Sequence, residues 1–81
     1  MVSYTFFDES SYFCFCEARK QVDRVWKASV RFERKADHTE EKTLIRGMAH
    51  KLVADFRDRE EVLSAACDLA LERARTGDVG F

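Results

Sequence analysis

The chain has 81 residues, 46% of them hydrophobic and 36% charged, with a net charge of −1 and a pI near 6.1. That length makes one domain with a thin core, and the apolar content is too high for a disordered chain. No apolar run approaches the roughly 20 residues of a membrane span, and the near-neutral charge lacks the strong basic excess of most nucleic-acid-binding domains.

The chain changes character at Asp37. Before it come five of the seven phenylalanines, both tyrosines and the tryptophan, in alternating runs; after it come long-side-chain helix formers, Ala and Leu in a 3.6-residue rhythm. This segregation predicts an α+β domain over residues 1–81. Its expected form is two-layered, a three-stranded antiparallel meander followed by two α-helices packed on one face.

Residues 2–7 are β-branched and aromatic and read as a strand. Asp8-Glu9-Ser10-Ser11 reads as a polar turn. A second strand is expected over 12–18, a weak turn at Lys20-Gln21, and a long third strand over 22–34. A four-residue turn at 8–11 opposes Phe6 to Phe13 and Tyr4 to Phe15. A two-residue turn at Lys20-Gln21 opposes Phe15 to Trp26 and Glu17 to Arg24. Together they predict an inner face of Tyr4, Phe6, Phe13, Phe15, Trp26, Ala28, Val30 and Phe32, with a Glu17–Arg24 ion pair across strands. The outer face is then Thr5, Phe7, Tyr12, Cys14, Cys16, Val25, Lys27, Ser29 and Arg31.

Asp37 with Glu40, or Thr39 as the alternative cap, marks the start of a helix over about 39–57. Its apolar face is Leu44, Ile45, Met48, Ala49, Leu52, Val53 and Phe56, and His50 falls on its polar side. Asp58-Arg59-Glu60-Glu61 signals a second start, so a second helix is expected over about 59–75, ended by Gly77, with a short tail at 77–81. One continuous helix over 39–75 is the competing reading. The apolar stripe of the second helix covers nearly half its wheel, and its edge near Leu63, Cys67 and Leu71 is the candidate surface for a second subunit.

Charge is unevenly spread. Residues 19–35 carry seven bases against two acids, and residues 37–78 carry ten acids against seven bases. Aromatic Phe7 and Tyr12 beside Lys27 and Arg31 form a candidate outer-face site, similar in kind to the stacking platforms of single-strand binders. Three strands followed by helices is an outline similar to double-stranded-RNA-binding and AP2-type domains. The chain departs from the first in having no leading helix, and from the second in having no Arg-dense sheet. An outline of this kind carries no function with it.

No catalytic residue is assigned. The chain contains no GxSxG, HExxH, GxxxxGK or GxGxxG, and His38 and His50 read as solvated side chains. Cys14 and Cys16 share one side of a strand at a spacing at or beyond the limit for an unstrained disulfide. No zinc-ligand set and no cofactor site is expected. The absence of a basic stretch and apolar core at the N-terminus, with an odd number of cysteines, points to a cytoplasmic protein with free thiols. The expected function is non-enzymatic, through protein–protein contact and self-association as a homodimer. The alternative is a nucleic-acid-binding regulator using the outer sheet face.

Overall fold

The aromatic N-terminal half forms a sheet in the computed structural model, which describes residues 2–38, 44–52 and 55–81. Strands β1 (Val2–Glu9), β2 (Tyr12–Lys20), β3 (Trp26–Arg34) and β4 (Gly47–Lys51) pair antiparallel in the order β1-β2-β3-β4. A short 3-10 turn at Lys35–Asp37 follows β3, and one helix, α1 (Arg59–Thr76), closes the fold. The architecture is α+β as expected, with four strands instead of three and one α-helix instead of two among the described residues.

The first turn is tighter than expected. Glu9 pairs with Tyr12, so Ser10 and Ser11 alone turn the chain, Ser10 taking a φ of 56°. Phe6 therefore stands opposite Phe15, where the sequence reading had set Phe13. The slip is two residues, so Tyr4, Phe6, Phe13 and Phe15 do share one face.

The second connection changes the outcome. Lys20 pairs with Trp26, and residues 21–25 form a five-residue loop. Gln21 N–H donates to the Val25 carbonyl at 2.8 Å, Arg24 N–H donates to the Gln21 carbonyl at 3.0 Å, and Arg24 takes a φ of 65°. Moving β3 against β2 by an odd number of residues reverses which sides meet. Cys14 now pairs with Phe32, Cys16 with Val30 and Ala18 with Ala28. The inner face is thus Cys14, Cys16, Ala18, Trp26, Ala28, Val30 and Phe32, all buried. Phe13 and Phe15 lie on the opposite side, so they are not core neighbours of Trp26. Glu17 faces Ser29 across the strands and binds Arg19 at 2.8 Å, in place of the expected Arg24.

Among the described residues of 39–57, the expected helix is not formed. Residues 47–51 are β4, with Met48 opposite Phe32 and His50 opposite Val30. Leu44, Ile45 and Arg46 have no regular structure, and Phe56 makes an isolated bridge to Trp26. The expected cap residues Thr39 and Glu40, and Val53 of the expected stripe, lie outside the described residues. The Asp37 carboxylate accepts from Arg34 Nε at 2.9 Å.

Helix α1 matches the expected second helix. Asp58 is its N-cap residue, and Gly77 ends it in the left-handed conformation, φ 78°, donating to the Arg73 carbonyl. A residue with a Cβ would be strained at that φ, which is why glycine stands there. The helix lies over β2 and β3 and reaches β1. Its buried stripe is Val62, Ala66, Ala70 and Ala74. Three alanines at four-residue spacing let the helix axis approach the sheet closely, so Phe32, Trp26 and Val30 supply the bulk of the core. Arg59 Nε donates to the buried Ser3 hydroxyl at 2.7 Å, tying the start of the helix to β1. Val79 then returns into the core after the helix.

Candidate interaction surface

The face of the sheet away from α1 carries four aromatic rings on β1 and β2. Tyr4 is 72% exposed and Phe6 is 58% exposed, and Phe13 and Phe15 are half-buried beside them. Phe6 contacts both neighbours on β2, with ring centroids 5.1 Å from Phe15 and 5.8 Å from Phe13. His38 stands edge-on to Phe13 at 4.7 Å. Phe6, Phe13, Phe15 and His38 line a shallow depression of about 440 Å³.

The antiparallel register sets the rest of the face in rows. Phe6, Phe15, Arg31 and Ala49 form one row across the four strands, and Tyr4, Glu17, Ser29 and Lys51 form the next. Asp8, Phe13, Glu33 and Gly47 form the third. Large rings therefore occupy β1 and β2, charges occupy β3, and β4 presents Gly47, Ala49 and Lys51. The Arg31 side chain lies across Gly47, so tightly that a Cβ there would overlap its guanidinium. Glycine at 47 is what gives Arg31 that resting place.

Arg31, His38, Lys27, Arg19 and Lys35 have acidic partners. Arg31 Nε donates to Glu33 at 3.1 Å, and His38 Nε2 donates to the other oxygen of the same carboxylate at 2.9 Å. Lys27 pairs with Asp55, Arg19 with Glu17 and Lys35 with Asp8. At the far end, Glu17, Arg19, Gln21, Lys27, Ser29 and Lys51 border a second depression of about 520 Å³.

The candidate site residues of the sequence reading fall on different sides. Lys27 and Arg31 are on the outer face as expected. Phe7 and Tyr12 are not: both turn toward the helix side and pack against the core. Tyr12 meets Phe32 edge-on at 6.4 Å and stacks on Phe81 at 6.2 Å, and Arg34 covers the other ring at 4.7 Å. Leu63 and Cys67 on α1 pack partly against the core, and Leu71 is half-buried. The edge they share is therefore smaller than a free apolar stripe. Tyr4, Phe6, Phe13 and Phe15, expected from the sequence to lie in the core, are on the outer face instead. A signal for them was present in β2. Glu17 and Arg19 are in phase with Phe13 and Phe15, and Ala18 is in phase with the two cysteines, so the charged phase marks the solvent side.

The thiols lie inside. Cys14 and Cys16 are buried, and Cys16 shares a hydrogen bond with Cys67 of α1. Burial is the main cause that pushes the Cys14 thiol up to about 11, with the Glu9 and Asp8 carboxylates adding to it. Burial, and then Cys67, push Cys16 up to about 12. Both are protonated at neutral pH, the state least suited to nucleophilic attack or metal ligation. Among the described residues no group of three or more His, Cys, Asp or Glu side chains could hold a metal ion. Also among the described residues, no helix is long and apolar enough to cross a membrane.

Compared with models of protein families, with curated proteins and with solved structures, the chain matches none.

Proposed function

We propose that this chain is a non-enzymatic domain that acts through protein–protein contact, and that the uncovered face of its sheet is the contact surface. The observation that carries this reading is the pair of largely exposed rings, Tyr4 and Phe6, set against Phe13 and Phe15 on the face opposite the helix. Contiguous exposed aromatic surface of this kind marks a contact site.

A flat array of rings beside Arg31 and Lys27 also favours a second reading, single-stranded nucleic acid stacked on the sheet. That reading needs cations available to phosphates. Here Glu33, Asp55, Glu17 and Asp8 engage Arg31, Lys27, Arg19 and Lys35, which supports a protein partner instead.

The test is a photo-crosslinking residue, p-benzoylphenylalanine, placed at position 4 and, as a control, at fully exposed Val22 in the loop 21–25. The expected result, on irradiation in cells, is an adduct at position 4 alone, digested by protease and resistant to nuclease. A nuclease-sensitive adduct would transfer the face to nucleic acid. No adduct at position 4 would remove the reading altogether.

A further inference from the structure

Resting on that reading, we infer that the partner on this face is a second copy of the same chain, docked sheet to sheet about a two-fold axis that runs along the strands between β2 and β3. The inference comes from the order of residues in each row. Such an axis lays every row of one copy over the same row of the other, read backwards. The row Phe6, Phe15, Arg31, Ala49 then sets Phe6 against the partner copy's Ala49, and Phe15 against its Arg31. The row Tyr4, Glu17, Ser29, Lys51 sets Tyr4 against the partner copy's Lys51, and Glu17 against its Ser29.

Two properties of the face fit this arrangement. The exposed Phe6 ring of β1 meets the small Ala49 of β4, so bulk meets space at that pair. Cations of β3 and β4 meet aromatic faces, an attraction that grows as water is excluded. The third row sets Asp8 over the partner copy's Gly47, and Phe13 over its Glu33. Glu33 is mostly covered, and its charge is held by Arg31 and His38 of its own chain. Aligned sheets pack about 10 Å apart with strands within about 30° of each other, so these pairings hold near the axis and loosen toward the corners.

Area is sufficient. Three strands of eight or nine residues and one of five, at about 3.3 Å per residue and about 4.8 Å between strands, give a face of roughly 500 Å² per copy. Two copies bury about 1,000 Å², the lower limit of a specific interface.

The experiment is sedimentation equilibrium on the purified full chain, from one to a few hundred micromolar, with far-UV circular dichroism on every variant. The wild type is expected to be a dimer in that range. Phe6→Asp should weaken dimerisation at least about thirtyfold, the effect of losing one central anchor, with an unchanged spectrum. Ala49→Phe should weaken it by overfilling the same contact, and Phe6→Ala combined with Ala49→Phe should recover part of it by exchanging large for small. Leu71→Glu on α1 should leave the dimer intact. If Phe6→Asp loses its folded spectrum, Tyr4→Asp is read in its place. A monomeric wild type overturns the inference, as does a dimer that Leu71→Glu dissociates and Phe6→Asp does not. The proposed function survives a monomeric wild type if position 4 still crosslinks to a different protein, and falls only if that adduct is absent.

Discussion

His50 donates from Nε2 to the main-chain carbonyl of Val79 at 2.9 Å, joining the last strand of the sheet to the segment that follows the helix. The Val79 side chain is fully buried beside it. The segment is thus part of the core, although it has no regular structure of its own. Val79→Ala should cost about 2 kcal/mol, from the apolar surface it no longer buries, read as a lower urea midpoint with an unchanged slope. An unchanged midpoint would mean that the segment contributes nothing to the fold.

Trp26 opens β3 and is buried, and its main chain exchanges two hydrogen bonds with Phe56, at 2.7 and 3.1 Å. Trp26→Ala keeps that bridge and empties the largest volume in the sheet's inner face. It should cost about 3–5 kcal/mol, enough to unfold a domain of this size in a thermal melt. Phe15→Ala, on the outer face, should cost much less. Comparing the two melts checks the assignment of faces directly, because the sequence-only register makes the two residues equal partners in one core.

The alanine stripe of α1 sets the spacing between the layers. Ala70 is fully buried where the helix crosses the sheet. Ala70→Leu inserts three carbons into a filled space and should destabilise by about 1–3 kcal/mol, in contrast to the usual effect of a larger apolar residue on an exposed helix surface. A melting temperature equal to that of the wild type would show slack between helix and sheet.

The buried thiols give the fold a limit on the alkaline side. Cys14 and Cys16 hold their protons to about 11 and about 12 in the folded chain, against an ordinary value of 9.0. Below pH 9 both states carry the protons and the thiols add no pH dependence. Above pH 9 the unfolded chain releases them and the folded chain does not, so stability falls as pH rises from 9 toward 11–12. Urea midpoints measured from pH 7 to 11 should be level and then decline. The Cys14→Ala, Cys16→Ala double variant should decline less steeply over the same range. At pH 7.5, iodoacetamide should modify both residues only as fast as the chain unfolds.

The β-meander, the C-terminal helix and its glycine stop were legible because each rests on a strong local signal: runs of β-branched and aromatic residues, an apolar stripe of period 3.6, and Gly77 at its end. The side of the sheet that forms the core was not. In β2, Phe13 and Phe15 alternate with Cys14 and Cys16, so both phases are apolar and periodicity alone does not choose between them. The choice fell to the length of the loop after Lys20. An odd error there, a two-residue turn read for a five-residue loop, exchanged the faces and carried Phe7 and Tyr12 to the wrong side. The loop has no Gly or Asn to announce it, and its left-handed residue is Arg24, a type that rarely takes that conformation. Residues 47–51 were lost to the helix reading for a related reason. Met48, Ala49 and Leu52 fit a helical stripe, while the inward alternation of Met48, His50 and Leu52 has a histidine at its centre. That histidine is satisfied by a carbonyl 29 residues away, which no local pattern reveals.

The order of the elements along the chain has a consequence for synthesis. A ribosome releases all four strands before Arg59–Thr76, the segment that covers Cys14, Val30 and Phe32. During that interval the nascent sheet has rings on one side and uncovered core residues on the other, and both sides are open to association with neighbouring chains. Slow translation across residues 59–76 lengthens the exposure, and the hazard ends only when the helix has left the exit tunnel and folded down.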